Sequence, residues 1–202
     1  MTARHSLMAA HRPVEAVVIG ASAGGVEALL ALLGDLRPGY CLPIIVVLHL
    51  PDERRSQLAE VFAKRVALPV REVQDKQPIE PGTLYFAAPG YHVSVEQDQS
   101  FSLSQEERVH FSRPAIDYLF ESAADVYQQR LAAILLTGAN RDGALGLSQV
   151  KQAGGLTIIQ DPDEAHVSTM PRAALELFQP DCILPLRGIG RLLVELEHIQ
   201  CC

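Results

Sequence analysis

The chain has 202 residues, of which 48% are hydrophobic and 20% charged. That balance excludes an intrinsically disordered chain. No apolar run approaches the roughly 20 residues of a membrane-spanning helix; Ile44-Ile45-Val46-Val47-Leu48, Ala28 to Leu33 and Leu131 to Leu136 are all far shorter. A formal net charge of −7 argues against a nucleic-acid backbone as the main partner.

Residues 1–13 lack hydrophobic periodicity and are expected to form a loose tail, with a single domain over residues 14–199. Arg4, His5, His11, Arg12 and Glu15 interrupt any apolar stretch, so no secretory signal is expected and the protein is placed in the cytoplasm. Ala16-Val17-Val18-Ile19 is a continuous apolar run ending at Gly20, the pattern of a strand buried on both faces. A helix is expected from Val26 to Leu33, a second buried strand at Ile44 to Leu48, and a helix presenting Leu58, Val61, Phe62 and Val66 on one face. Pro69 to Val73 reads as a shorter strand. Strand and helix thus alternate, which implies a parallel sheet with right-handed crossovers.

The middle breaks this alternation. Thr83 to Ala88, His92 to Glu96 and Phe101 to Gln105 are short and separated by turn residues, and are expected to be antiparallel hairpin material inserted at one edge. Pro114 then opens a helix with Ile116, Leu119, Phe120, Ala123 and Tyr127 on one face. Leu131 to Thr137 is a buried strand, Gly143 to Ala153 a helix stopped by Gly154-Gly155, and Leu156 to Gln160 a strand. A helix over Pro171 to Phe178, a short strand at Cys182 to Leu184 and a helix over Ile189 to Ile199 close the chain. The expected fold is α/β: a doubly wound three-layer αβα domain with a mainly parallel sheet and an antiparallel hairpin insertion. The four cysteines, Cys41, Cys182, Cys201 and Cys202, lack metal-ligand spacing and are expected to be free thiols.

Three strand ends carry chemistry. Gly20-Ala21-Ser22-Ala23-Gly24-Gly25 follows the first strand. Read as a dinucleotide loop it is damaged by Ser22, which stands where the backbone must approach a pyrophosphate. Read as a nucleophile turn, Gly20, Ser22 and Gly24 match G-x-S-x-G fully. A plain turn with a capping serine is the third reading. The second strand ends at His49, where a dinucleotide enzyme usually has a carboxylate, so a base lies beside the serine; a solvent-facing histidine is the alternative. After the Leu131 to Thr137 strand comes Gly138-Ala139-Asn140-Arg141-Asp142-Gly143. Asp142 is placed either to orient the histidine or to cap the following helix.

The chain resembles the catalytic domain of the chemotaxis receptor methylesterase family, protein-glutamate methylesterase, also described as a receptor glutamine deamidase. The resemblance runs over roughly residues 14 to 198. It rests on Val18-Ile19-Gly20-Ala21-Ser22-Ala23-Gly24-Gly25, Val47-Leu48-His49-Leu50-Pro51, Tyr85-Phe86-Ala87-Ala88-Pro89-Gly90, Arg113-Pro114-Ala115-Ile116-Asp117, Leu136-Thr137-Gly138 with Asp142-Gly143-Ala144, and Gln160-Asp161-Pro162 with Met170-Pro171-Arg172. It implies Ser22 as nucleophile, His49 as base and Asp142 as orienter. It also implies an oxyanion site and cleft drawn from Ala23, Gly24, Ala139, Asn140 and Met170. Departures are Ala23 for the family's threonine, Ala139-Asn140 for Met-Gly, and Thr169 for the glycine before Met170. Arg141 and Arg113 are candidates to line the cleft or simply to solubilise the surface.

The expected partner is a methylated chemoreceptor-like protein, with no nucleic acid, no membrane insertion and no metal or organic cofactor. Two rival readings are a regulatory module of this fold with weakened catalysis, and a hydrolase acting on another protein. The best-known relatives carry an N-terminal receiver domain. With about a dozen residues before its first strand, this chain is expected to lack one and to act without phosphorylation in cis.

Overall fold

The computed structural model describes residues 13–49 and 58–200. The expected tail, apart from Pro13, lies outside these residues, as do Leu50, Pro51, Cys201 and Cys202. The apolar runs become strands β1 (Ala16–Ala21), β2 (Ile44–Leu48), β3 (Val70–Glu72), β4 (Leu84–Phe86), β7 (Leu131–Leu135), β8 (Leu156–Gln160) and β9 (Cys182–Leu184). They form one seven-stranded sheet in the order β3-β4-β2-β1-β7-β8-β9, and its pairings are parallel. Strands β5 (His92–Val95) and β6 (Phe101–Ser104) pair antiparallel as a separate hairpin.

Alternation along the buried strands fills two cores. Val17, Ile19, Ile44, Val46, Ala132 and Ile134 point to one face. There they meet α1 (Gly25–Leu33), α2 (Leu58–Ala63) and α6 (Leu186–Gln200). Ala16, Val18, Ile45, Val47, Ala133 and Leu135 point to the other. There α3 (Ile116–Tyr127), α4 (Ala144–Gln152), α5 (Thr169–Leu177) and the hairpin cover them. Both faces are dry, as a parallel sheet requires. Fully burying an aliphatic side chain contributes about 1.5–3 kcal/mol, so this two-sided core fixes where the strand ends emerge.

Two expectations are corrected. Thr83 to Ala88 is not hairpin material: Leu84, Tyr85 and Phe86 are all buried, and β4 lies in the parallel sheet between β2 and β3. Leu84 and Phe86 fill one core and Tyr85 the other. A run of three apolar side chains needs cover on both faces, which a half-exposed hairpin lacks. The true hairpin does not extend a sheet edge; its Val93, Val95 and Phe101 share the core of α3, and Val95 N–H donates to Ser122 Oγ on that helix at 3.0 Å. The second correction concerns the thiols. Cys182 is a buried free thiol, but Cys41 is disulfide-bonded, with its partner outside the described residues. Glu197 of α6, itself buried, accepts from Arg37 and from Cys41 N–H, which holds the Cys41 loop against the C-terminal helix.

The sheet reverses its winding between β1 and β7, and α3 packs directly over that point. A Cβ placed on Gly20 would lie 2.4 Å from Ile116 Cγ2. Gly20→Ala should therefore lower the free energy of unfolding by about 1–3 kcal/mol through overpacking. A urea titration measures this; an unchanged midpoint would mean that α3 does not sit on β1 this closely.

Candidate active site

Parallel registers deliver the candidate residues to one edge. Ala21 pairs with Leu48, so Ser22 and His49 leave neighbouring strand ends together. His49 N–H donates to Ala21 O at 3.1 Å, and Ser22 N–H to Thr137 O at 3.0 Å, which sets the third strand end beside the first. This edge is the switch point of the doubly wound sheet, where crevices form in such folds.

His49 Nε2 lies 2.8 Å from Asp142 Oδ2. The histidine side chain is 9% exposed and the aspartate 0%. Asp142 does not cap the helix that follows it: α4 has Gly143 at its N-cap with no side-chain bond. Its carboxylate instead accepts from Ile116 N–H at 2.7 Å and Asp117 N–H at 3.1 Å, the first amides of α3. Burial works to raise the Asp142 pKa, but the His49 bond and these two amides outweigh it and hold the carboxyl below its ordinary value. Asp142 is thus a buried anion satisfied by a helix N-terminus and an imidazole. With Nε2–H donating to it, His49 Nδ1 keeps the lone pair and is the nitrogen available to a proton.

Ser112 Oγ lies 3.4 Å from that Nδ1. Ser22 Oγ makes no hydrogen bond to His49 in this structure. The geometry therefore pairs the base with its orienter and sets the serine turn alongside, without an engaged nucleophile.

The turn carrying Ser22 is built for close approach. Gly24 has φ +79, and a Cβ there would meet His166 Cβ at 2.7 Å, so only glycine fits on both counts. Thr137 Oγ1 donates to Ala23 O at 2.8 Å and accepts from Val167 N–H at 2.9 Å, clamping the turn to the loop before α5. Gln160 Oε1 receives Thr137 N–H at 2.8 Å. The amides of Ala23, Gly24, Ala139 and Asn140 donate to no acceptor among the described residues. They lie on the two loops that meet at this edge, and free backbone donors are the groups that stabilise an oxyanion.

The other expected residues divide. Asn140 does not adopt the left-handed conformation; its Oδ1 instead accepts Asp142 N–H at 3.2 Å, an Asx turn that shapes the loop. Met170 does not line the cleft surface. It is fully buried, and its Sδ would sit 2.7 Å from a Cβ on Gly138, so it supports the 138–139 backbone from beneath. Arg141 lines a groove together with Asn140 and Arg172, whose lining does not include Ser22, His49 or Asp142. Arg113 is turned away to Gln105 O and Glu106 O.

Sequence reasoning did not single out Ser112, Asp117, Thr137, His92 or His166. Thr137 stood at a strand end beside a glycine, a signal that was available. His92 gave none: it is buried, its Nδ1 accepts Ala115 N–H at 3.2 Å, its Nε2–H donates to Glu107 O at 3.0 Å, and its ring stacks on Tyr118. Burial lowers its pKa, so it holds the entry to α3 as a neutral imidazole. Asp117 is buried beside Asp142 and receives Gly146 N–H at 2.7 Å, tying α4 to α3.

Burial, and then the charge of Asp142, push the Asp117 carboxyl up to about 7. A carboxyl whose folded value exceeds its unfolded one adds stability at low pH that is lost as pH rises toward the folded value. The melting temperature of Asp117→Asn relative to wild type should therefore climb between pH 4 and about 7 and level off above it. Thermal melts across that range check this; a constant difference would show that Asp117 is ionised throughout.

Comparison with known proteins identifies the family. The CheB methylesterase family matches residues 17–193. A Leptospira interrogans protein, provisionally named a protein-glutamate methylesterase/protein-glutamine glutaminase, is 42% identical over 184 residues, covering 91% of this chain and 95% of that protein. An Anaeromyxobacter dehalogenans protein-glutamate methylesterase/protein-glutamine glutaminase is 43% identical over 185 residues, which are 92% of this chain and 54% of that protein. The crystal structure of the Thermotoga maritima CheB methylesterase catalytic domain superposes with a TM-score of 0.86 at 32% identity, covering 91% of this chain and 98% of that one. On this profile match and these long, well-covered alignments, the chain belongs to the CheB methylesterase family.

Proposed function

We propose that this chain is a serine hydrolase that demethylates glutamate γ-methyl esters on a chemoreceptor-like protein in the cytoplasm, and deamidates glutamines at equivalent positions. The observation that carries the reading is the buried His49–Asp142 pair beside the Ser22 turn, with uncommitted amides on both flanking loops. The family match supports the substrate class, because its relatives are named for both activities.

The steps follow from the donors present. Ser22 Oγ attacks the ester carbonyl as its proton passes to His49 Nδ1, and Asp142 stabilises the resulting imidazolium through Nε2–H. The oxyanion is held by amides among Ala23, Gly24, Ala139 and Asn140, each such donor contributing about 3 kcal/mol. Collapse breaks the ester C–O bond, and the proton on Nδ1 goes to the departing methanol. Water, deprotonated at Nδ1, then attacks the glutamyl-serine ester; glutamate leaves and Ser22 regains its proton. For a glutamine substrate the leaving group is ammonia. Each step uses side chains, backbone amides and water.

The departures at Ala139 and Asn140 are compatible with this reading, while Ala23 lacks the hydroxyl of the family's threonine. Ala23 and Ala139 supply backbone amides as any residue would, and Asn140 takes an ordinary backbone conformation. A weakened regulatory module is therefore not favoured by these substitutions.

Ser22→Ala should abolish methanol release from a methylated receptor fragment and keep a wild-type melting curve, since one half-buried hydroxyl on a turn contributes little packing. Asp142→Asn should lower the rate by about 10³–10⁴-fold through loss of the imidazolium's partner and the wrong tautomer. Methanol release is read by a coupled alcohol assay. Near wild-type release from the Ser22→Ala chain would remove the serine mechanism.

A further inference from the structure

A groove of about 530 Å³ opens beside the dyad, lined among others by His110, Phe111, Asn140, Arg141, Arg172 and Glu176. It adjoins the reacting edge on two sides. Phe111 directly precedes Ser112, whose hydroxyl lies 3.4 Å from His49 Nδ1. Asn140 and Arg141 stand between the free Ala139 amide and Asp142.

Its chemistry runs against that of the whole molecule. The chain carries −7, yet Arg141 and Arg172 against Glu176 leave the groove with one positive charge in excess. Arg172 is partly engaged, by Ser168 Oγ and by an exposed Asp163. The Arg141 guanidinium has no partner among the described residues. Phe111 is 94% exposed, and it sits on a two-residue turn in which His110 has φ 48 and Phe111 φ 65. The turn is closed by Ser112 N–H to Val109 O at 2.8 Å. Left-handed φ is unfavourable for an aromatic residue, and so is a solvated phenyl ring. Both occur at the rim of one charged groove beside the base.

We propose that this groove docks the segment of the protein substrate that flanks the glutamyl ester, and that it selects an acidic segment carrying an apolar side chain. Arg141 pairs with a carboxylate of that segment, and the Phe111 ring packs on its apolar residue. The inference rests on the hydrolase reading above and deepens it, by naming what surrounds the scissile ester. The attraction assigned to Arg141 is local and lies beside the scissile bond, so it does not depend on the chain's net charge of −7.

The test uses the full chain and three capped peptides, each with one glutamate γ-methyl ester followed by Glu-Leu, Gln-Leu or Lys-Leu. Wild type should show kcat/KM about three- to tenfold higher for the acid-flanked than for the neutral peptide, the range of a partly shielded Arg–carboxylate contact, and the ratio should shrink in high salt. Arg141→Gln should bring the ratio to about one, Arg141→Glu should invert it toward the lysine-flanked peptide, and Arg141→Lys should retain it. Phe111→Ala should lower kcat/KM for all three peptides alike. Wild type without an acid preference, or Arg141→Glu with the preference intact, overturns the proposal. If no peptide releases methanol, the hydrolase reading has failed separately. Calorimetric binding of the same peptides then decides docking, with tighter acid-flanked binding that Arg141→Glu loses supporting it and equal binding contradicting it.

Discussion

A buried carboxylate organises this molecule. Asp142 is fully shielded from water, and an unpaired ion in that position costs several kcal/mol. It is tolerated because three donors converge on it: the first two amides of α3 and the Nε2–H of His49. The same contacts join elements remote in sequence. They bring the loop after β7 to the start of α3 and to the end of β2, so stability and site geometry depend on one group. The surrounding structure serves this arrangement. His92 fixes the Ala115 amide just ahead of α3, Asp117 ties α4 to it, and Gly20 gives Ile116 room to lie on β1.

The orientation of His49 has a mechanistic consequence. Because Nε2 is committed to Asp142, the proposed mechanism works through Nδ1, the nitrogen nearer the ring's own backbone. A base working through Nδ1 reaches less far, which requires the nucleophile on an adjacent strand end rather than across a wide cleft. The Ala21 to Leu48 register provides that adjacency. Ser112 meanwhile offers Nδ1 a long hydroxyl contact at 3.4 Å, a weak bond that a substrate-engaged Ser22 can displace.

The fold was legible because the parallel strands are unbroken apolar runs and their helices have one-sided patterns. The placement of Ser22, His49 and Asp142 at one sheet edge was legible because each follows such a run, and doubly wound topology predicts which strand ends meet. What was missed has a common cause. Leu84-Tyr85-Phe86 is too short for periodicity to separate a parallel strand from a hairpin arm; only the two-sided burial of the finished sheet decides it. Capping chemistry for Asp142 was a sound local reading, but the carboxylate caps α3, a helix distant in sequence, and no spacing rule carries that information. His92, Asp117 and Ser112 acquire their positions from tertiary contacts. The left-handed turn at His110-Phe111 contains neither glycine nor asparagine, so its residues gave no turn signal.

The central claim is that Ser22, and not the nearer hydroxyl of Ser112, is the nucleophile served by His49 Nδ1. Labelling the purified chain with a serine-reactive fluorophosphonate and mapping the adduct by peptide mass spectrometry tests it most directly. The account predicts a single stoichiometric adduct on Ser22 that is lost in His49→Ala. An adduct on Ser112, or labelling of Ser22 that is indifferent to His49, would contradict it.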